Sequence, residues 1–420
     1  MNFYLSNLPV GLTLFALIFF PPWSKAASPG ARYLRYSALI FCILVISGLI
    51  FENSFVAKNS IDLMLNDASI LQTGRYYLGI VSLAAAIISI APVMGTAKFN
   101  TGHRKSIAIN TKMEKSFLAI SLLLLVLDIH FKGFGLLISR SDYLPRSWSG
   151  NFFANLLQYA SFISIIFLYL SNFFDRRLLR ILKWLLVISW QMYMLGMTSR
   201  AAISVGILYL LSKYLKGEAV SLKGKIFITL QMLFVYLLVL QARSGDYFGL
   251  RHIPSIFKRT NFFSSTSLQM VHENVVSSIS IIGLTHQTAE PNFSNLLIAS
   301  NPLPGKWTRW YEIAPSMRIS TFIPYSGFGE LSVFGILNFV IFVSFLLILI
   351  RIGIDFSASD KRFFGAIPIF IQIISSAFLF LMLQYNLRSC LRIFEMGIVI
   401  FLISFGTRKF HVSEYSNSTA

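Results

Sequence analysis

The stretch FGELSVFGILNFVIFVSFLLILI, residues 328–350, contains a single charged side chain, Glu330. An apolar run of this length can cross a bilayer as one helix, which takes about 20 residues. Comparable runs occur at 4–20, 33–51, 76–95, 116–132, 152–172, 178–198, 201–216, 226–242, 363–383 and 390–406. The sequence therefore predicts an all-α polytopic membrane protein with about eleven transmembrane helices.

The composition supports this fold class. Of the 420 residues, 55% are hydrophobic and 13% are charged, whereas soluble domains carry about 25% charged residues. The net charge of +19 comes from short basic clusters between apolar runs, and no aromatic-basic module accompanies them, so nucleic acid is not an expected partner. Two cysteines, Cys42 and Cys390, provide neither a disulfide framework nor a metal cluster. No metal or cofactor is expected.

The loops predict the orientation, because Lys and Arg concentrate on the cytoplasmic side. Strongly basic loops alternate with loops such as 52–75 and 133–151, in which acidic residues accompany the basic ones. The alternation holds if the amino terminus and the long loop are outside and the carboxyl terminus is inside. Residues 1–10 hold no Lys or Arg, so the first run is expected to be a membrane helix and not a signal peptide. The predicted division is 1–242 (eight helices), 243–321 (outer cap) and 322–420 (three helices and a tail).

Three segments have their own local signals. Residues 262–283 contain few helix breakers and are expected to form a helix along the membrane surface. Residues 291–304 are expected to be irregular. Between the runs 178–198 and 201–216 stand only Ser199 and Arg200, which predicts a tight hairpin or one kinked, re-entrant element.

Arginines near the outer helix ends are candidate ligands for an anion. Arg200 is followed by Ala201 and Ala202, while Arg388 and Arg392 share a helix face with Glu395. A guanidinium offers a planar fork of donors that matches phosphate oxygens. The alternatives are a snorkelling side chain for Arg200 and a structural Arg392–Glu395 pair. The long loop adds the cations Arg243, Arg251, Arg309 and Arg318.

Glu330 is the acidic candidate, at the point where the long loop re-enters the membrane. The flanking Gly327 and Gly329 would allow a sugar to approach the backbone, while Glu330 accepts its hydroxyl or acts as a general base. The alternative is a helix N-terminal charge favoured by the macrodipole. The histidines of the loop lack zinc spacing, and each is either a base or a solvated loop residue: His252, His272 and His286.

Together these features resemble the bacterial O-antigen polymerase family. The resemblance rests on about eleven helices, one long outer loop late in the chain, and three short motifs: Ser-Arg-Ala at 199–201, Asn-Pro-Leu-Pro-Gly at 301–305 and Gly-Phe-Gly-Glu-Leu-Ser-Val-Phe-Gly at 327–335. It implies a glycosyltransferase with a GT-C-like architecture in the bacterial inner membrane, with its active site on the periplasmic side. Such an enzyme transfers a growing glycan from undecaprenyl pyrophosphate to a fresh lipid-linked repeat unit.

The resemblance also implies roles for individual residues. Arg200, Arg388 and either Arg243 or Arg251 would stabilise the leaving pyrophosphate without a metal. Glu330 is the first choice as base, and His252 or His272 follows. Arg309, Arg318 and Arg392 are further contacts, and the aromatic residues stack on sugars or form an interfacial belt: Trp307, Trp310, Tyr311 and Tyr325. The implied partners are undecaprenyl-pyrophosphate-linked glycans, membrane lipids, and a chain-length regulator and flippase of the same pathway.

Other classes remain open. An O-antigen ligase would pass finished polymer to lipid A core and would require a histidine of the long loop, with His272 the candidate. A repeat-unit flippase is expected to have twelve or more helices, short outer loops and pseudo-repeat halves. A purely structural membrane subunit would leave the outer arginines without a role.

Overall fold

The computed structural model describes residues 3–19, 28–50, 67–90, 111–142, 145, 164–165, 168–169, 171, 177–215, 220–243, 247–259, 264–303, 305, 307–320, 323–359, 367–392, 394–395 and 397–398. This part of the chain is mostly helical and contains no strand. Its helices long and apolar enough to cross a membrane are Pro29–Leu49, Ala68–Ile90, Arg177–Gly196, Leu222–Arg243 and Ile336–Asp355. The protein is therefore an all-α membrane protein, while the count of eleven spans stays a prediction.

The helices follow one another as α1 (Phe3–Phe19), α2 (Pro29–Ile50), α3 (Ala68–Ile90), α4 (Thr111–Lys132), α5 (Phe134–Ile138), α6 (Arg177–Gly196), α7 (Ser204–Leu215), α8 (Leu222–Arg243), α9 (Ile253–Arg259), α10 (Ser265–Thr288), α11 (Phe293–Ala299), α12 (Trp310–Ile313), α13 (Gly327–Ser332), α14 (Ile336–Ser359) and α15 (Ile367–Gln384). Short 3-10 turns cover Arg200–Ile203 and Leu250–His252. The predicted runs at 152–172 and 390–406 lie largely outside the described residues.

The chain forms two compact units. The first unit comprises residues 1–102 and 273–420, and the second comprises 103–272. In the first unit α3 packs against α1, α2 and α14, and their buried apolar side chains form one core. The division into 1–242, 243–321 and 322–420 describes membrane topology and stays a prediction.

One carboxylate joins α2 to α14 in the first unit. Asp355 accepts hydrogen bonds from the Ser28 hydroxyl (2.8 Å) and the Gly30 N–H (2.7 Å) at the start of α2. A negative charge is favourable there because the first turn of a helix carries unpaired N–H groups. The same carboxylate pairs with Arg351 at 3.5 Å, and Arg351 donates to the Ile88 carbonyl of α3. Three helices are thus tied at one end.

The helix expected at 262–283 is present as α10, but the expectation that it lies on a surface is wrong for its second half. All residues from 278 to 285 are buried. A Cβ added to Gly74 of α3 would lie 2.0 Å from the Ile279 carbonyl oxygen, and one added to Gly283 would lie 1.9 Å from the Ile70 oxygen. The two helices therefore touch backbone to backbone, as small residues allow.

The polar residues of α10 explain why its pattern suggested a surface helix. Ser278, Ser280 and Thr285 are all buried. A hydroxyl can be buried in a helix because it bonds to a carbonyl of the preceding turn, and the Thr285 hydroxyl donates to the Ile281 carbonyl at 2.6 Å. Small hydroxylated residues consequently allow close helix packing, although in sequence they read as solvent-facing positions.

The segment 291–304, expected to be irregular, contains the helix α11. The Asn292 side chain caps it by accepting from the Asn295 N–H at 3.1 Å, and an N-cap of this kind stabilises a helix start. Between the runs 178–198 and 201–216, α6 ends at Gly196 and Thr198 adopts the left-handed conformation, with φ of 49°. The two runs are therefore separate helices.

The run 328–350 is also divided. Its first part is the six-residue α13, and Gly335, with φ of 88°, separates α13 from α14. A residue with a side chain rarely adopts this φ, so the glycine determines where the turn falls. The spanning helix begins at Ile336, and Glu330 lies outside it.

The glycine contact between α3 and α10 yields a prediction about stability. Gly74→Ala should lower the free energy of unfolding by at least about 1–3 kcal/mol, since overpacking a filled interface costs that much. The matched control is Gly11→Ala in α1, where no described atom lies within 4 Å of an added Cβ. That change should be neutral or slightly stabilising. Thermal unfolding in detergent measures both, and equal midpoints for the two variants would contradict the close contact.

Candidate functional site

A cavity of about 220 Å³ lies within the first unit. It is bounded by the end of α10, the start of α11, residues 316, 317 and 325, and the segment from α13 to residue 334. Half of its lining residues are polar and half are apolar or aromatic: Thr288, Glu290, Asn292, Asn295, Ser316 and Glu330; Ala289, Leu296, Met317, Tyr325, Val333 and Phe334. The cavity brings together two of the predicted site residues, Glu330 and Tyr325.

Ser326 fixes the start of α13 against two other helices. Its N–H donates to the Thr285 hydroxyl of α10 (3.1 Å), and its own hydroxyl donates to the Met382 carbonyl of α15 (2.7 Å). The same hydroxyl accepts from the Gly329 N–H at 3.4 Å. Gly327 N–H adds a hydrogen bond of 2.8 Å to the Tyr385 carbonyl. The position of Glu330 is therefore set by contacts on both sides of α13.

The two glycines of α13 serve packing. A Cβ on Gly329 would lie 2.5 Å from the Thr285 Cβ, and one on Gly327 would lie 2.5 Å from the Met382 sulfur. The space beside these glycines is thus filled by protein. The idea that they bring the backbone close to a sugar does not fit this geometry, and the cavity instead meets α13 at Glu330.

Glu330 is a buried carboxyl group with a single hydrogen bond described. Its side chain is 6% exposed, and its Oε1 accepts from the Leu387 N–H at 3.2 Å. Burial raises the pKa of Glu330 to about 8, because the Leu387 amide offsets only part of the cost of a buried charge. An ordinary N-terminal helix charge would be solvated and ionised at neutral pH. Glu330 instead has the proton affinity of a general acid or base.

His286 supports α13 from the neighbouring α10. Its Nδ1 lies 2.9 Å from the Ser332 hydroxyl oxygen, and that hydroxyl donates to the Gly329 carbonyl at 2.7 Å. The hydrogen-bond network therefore assigns the proton to His286 Nδ1. Burial lowers the pKa of His286, and its ring packs 4.8 Å from that of Tyr77. His286 is half-buried and contacts α13, while the side chain of His272 lies outside the described part.

Arg388 is buried, with 1% of the residue exposed, beneath the segment 298–310. Its guanidinium donates to the Ile298 carbonyl, to the Leu303 carbonyl at 2.7 Å and to the Thr308 hydroxyl at 3.0 Å. It also lies 5.1 Å from the Trp310 ring centroid, a cation–π distance. These contacts make Arg388 a clamp on the Asn-Pro-Leu-Pro-Gly segment.

Arg392 contributes much less to that clamp. It is exposed and makes one long hydrogen bond, 3.4 Å, to the Leu303 carbonyl. The expected pairing partner, Glu395, interacts electrostatically with both arginines. The Glu395 carboxylate thus attracts Arg388 as well as Arg392.

The second unit has its own arginine cluster around Thr198. Arg140 donates to the Gly196 carbonyl (2.6 Å) and to the Thr198 hydroxyl (3.1 Å), and Arg243 donates to the Thr198 carbonyl (3.1 Å). Two guanidinium groups thus hold the left-handed turn that precedes Arg200. The backbone of Arg200 begins the 3-10 turn, and its side chain lies outside the described part, so snorkelling and phosphate binding both remain open.

Arg140 was not among the sequence candidates. The sequence feature that could have identified it is its position in the loop 133–151, which follows the run 116–132 on the side predicted to be outer. An antiparallel bridge pairs its backbone with that of Phe248, at the start of the long loop. A charged side chain that contacts Thr198, next to the Ser-Arg-Ala motif, is therefore distant from it in sequence.

The remaining candidates lie on exposed segments. Arg251 is exposed in its 3-10 turn. The His252 Nε2 atom lies 3.1 Å from the Ser139 hydroxyl oxygen. The His252 ring stacks on that of Tyr247, with 5.6 Å between the ring centroids. In the first unit, the exposed Arg309 and Arg318 lie in the chain between α11 and α13. Arg309 pairs with Glu312 at 2.7 Å, and the backbone of Arg318 bridges to Pro324.

Searches against protein families, curated proteins and solved structures give no match to this chain. The features that bear on function are therefore the geometry of the described residues and the sequence motifs.

The burial of Glu330 predicts how stability depends on pH. The folded state keeps the proton up to about pH 8, whereas the unfolded chain loses it near 4.5. Between these values the folded state binds more protons, so stability falls as pH rises. Glu330→Gln removes that loss. The unfolding midpoint of the variant relative to the wild type should therefore increase from pH 5 to pH 8. Glu312→Gln, at an exposed position, should show a constant difference, and the same flat profile for Glu330→Gln would contradict a buried acid.

The Arg388 clamp predicts sensitivity to protease. Arg388→Ala removes three hydrogen bonds, each worth about 0.5–1.5 kcal/mol, so the segment 298–310 should open at least roughly tenfold more often. Limited trypsin digestion at Lys306 and Arg309 measures this opening. Arg392→Ala, which loses one long bond, is the matched control. Equal cleavage rates in the two variants would show that Arg388 does not hold the segment.

Proposed function

We propose that this chain is an O-antigen polymerase, a glycosyltransferase of GT-C-like architecture in the bacterial inner membrane. It would join undecaprenyl-pyrophosphate-linked repeat units on the periplasmic side. The observation that carries this proposal is Glu330, a buried carboxyl group with a raised pKa in the wall of a cavity of about 220 Å³. Its support from sequence is the Gly-Phe-Gly-Glu motif at 327–330, which contains this residue.

The size of the cavity suits one sugar ring. An engineered cavity of about 150 Å³ holds a benzene molecule, and pockets for drug-sized ligands measure roughly 300–1,000 Å³. A volume of about 220 Å³ falls between these values. Its mixed polar and apolar lining offers hydrogen bonds to hydroxyl groups and contact to the C–H face of a ring.

The reaction assigned to Glu330 is proton removal from the acceptor. The acceptor hydroxyl oxygen forms a bond to the anomeric carbon of the donor glycan. The bond from that carbon to the pyrophosphate oxygen breaks, and undecaprenyl pyrophosphate leaves with the electron pair. The hydroxyl proton passes to the ionised Glu330 carboxylate. A carboxylate with a pKa near 8 is a stronger base than an ordinary one, and this proximity to working pH favours general-base catalysis.

The leaving pyrophosphate is assigned to arginines. Arg200 and either Arg243 or Arg251 keep this predicted role, because guanidinium groups stabilise developing phosphate charge without a metal. Arg388 changes role. Both of its terminal nitrogens donate to residues 298, 303 and 308, so it acts through the segment 298–310 as a positioning residue.

Transfer by purified protein on synthetic undecaprenyl-pyrophosphate-linked repeat units tests the proposal. Glu330→Gln should reduce polymerisation about 10²-fold or more, the usual effect of losing a general base. The wild-type rate should rise about tenfold per pH unit below pH 8, because only the ionised carboxylate accepts the proton. Glu312→Gln should leave both the rate and the pH profile unchanged.

Two results would reject the proposal. One is full activity of Glu330→Gln with an unchanged product ladder. The other is transfer of finished polymer to lipid A core with no polymerisation, accompanied by complete loss of transfer in His272→Ala, which would identify a ligase.

A further inference from the structure

The charges around the cavity are of one sign. Among the described residues that line it, the charged ones are Glu290 and Glu330, and none is a lysine or arginine. The nearby Arg318 lies two residues beyond Ser316 in the chain and is not part of the lining. A ligand that carries its own carboxylate would therefore meet negative charge and, among these described lining residues, no cation.

The two glutamates differ in exposure. Glu290 is exposed, just beyond the end of α10, where water can solvate a carboxylate. Glu330 is buried, and burial raises its pKa to about 8, so near neutral pH it is mainly an uncharged acid that both donates and accepts a hydrogen bond. The negative charge at the exposed edge of the cavity, its rim, therefore comes from Glu290. Glu330 lines the cavity as a hydrogen-bonding group.

The uncharged part of the lining is suited to a sugar. Asn295 and Ser316 carry short groups that can bond to hydroxyls, and Tyr325 and Phe334 provide aromatic surface for the C–H face of a pyranose. When a binding surface and a ligand carry charges of the same sign, their repulsion weakens binding and provides specificity.

We infer that the cavity takes one uncharged sugar ring, and that Glu290 at its rim discriminates against sugars bearing a carboxylate. This inference rests on the proposed function in placing the terminal sugar of the acceptor here. It adds the substrate class and a specificity-determining residue. The selection by charge is a property of binding and is measurable without any transfer reaction.

The test measures the binding of three methyl glycosides to the full-length protein in detergent. They are methyl glucoside, methyl glucuronide with its free carboxylate (called glucuronate below), and the neutral methyl glucuronamide. Glucuronate and glucuronamide have nearly the same shape and differ in charge. Saturation-transfer NMR with titration should show that both neutral glycosides bind, and that glucuronate binds at least about tenfold more weakly at low salt. Higher salt should narrow this difference, because rim charges are screened.

Three variants locate the effect. Glu290→Gln should strengthen glucuronate binding about tenfold and leave the neutral glycosides unchanged, while Glu312→Gln should change nothing. Ser316→Trp, at an exposed lining position, should fill the cavity and abolish binding of all three.

Each result bears on one claim. Equal binding of glucuronate and glucuronamide, or no response to Glu290→Gln, overturns the selection by charge. Polymerase activity without binding of any glycoside overturns the assignment of the acceptor sugar to this cavity and leaves the polymerase proposal standing. Charge-selective binding in a protein with no transferase activity supports the inference about the cavity and overturns the proposed function.

Discussion

The backbone contact between α3 and α10 is the constraint on which the candidate site depends. Because Gly74 and Gly283 lack side chains, the two helices approach until one backbone meets the other. This depth places Thr285 where its hydroxyl receives the Ser326 N–H and where its Cβ fills the space beside Gly329. A side chain at the interface would push α10 outward, and α13 would lose one of the two surfaces that hold it. The glycine contact thus sets the cavity wall that contains Glu330.

The buried charged groups of the first unit fall into two kinds. Asp355 and Arg388 have several hydrogen-bonding partners each, which offset much of the cost of their burial and join distant segments. Glu330 accepts one described hydrogen bond, from Leu387 N–H, and its burial is compensated only in part. A group of the second kind weakens the fold when it ionises, and such groups are retained mainly where their proton affinity is used. This contrast distinguishes Glu330 from Asp355 and Arg388 and supports its proposed role as a base.

Sequence alone predicted the all-α membrane class and selected Glu330 and Tyr325, because apolar length and an acid among glycines are local signals. It did not predict the burial of α10, since Ser278 and Ser280 resemble solvent-facing positions until the neighbouring helix is known. The clamp role of Arg388 was equally hidden, because its acceptor at Leu303 lies 85 residues away in the chain. Glu290 was named in no role at all. The spacing of residues in a sequence does not reveal which distant carbonyl a side chain will bind. The length of an apolar run, by contrast, can be counted directly.

The turn at Gly335 separates two mechanical tasks. Helix α14 is long and apolar enough to cross the hydrophobic layer, and the tilt of such a helix follows the thickness of the surrounding bilayer. Helix α13 is held by α10 and α15 through Ser326 and Gly327, and the chain between α13 and α14 passes through a glycine with φ of 88°. The turn therefore changes the direction of the chain between the helix that carries Glu330 and the long apolar helix that follows. Glu330 is positioned by the contacts of α13 with α10 and α15 as well as by the packing of α13 against α14.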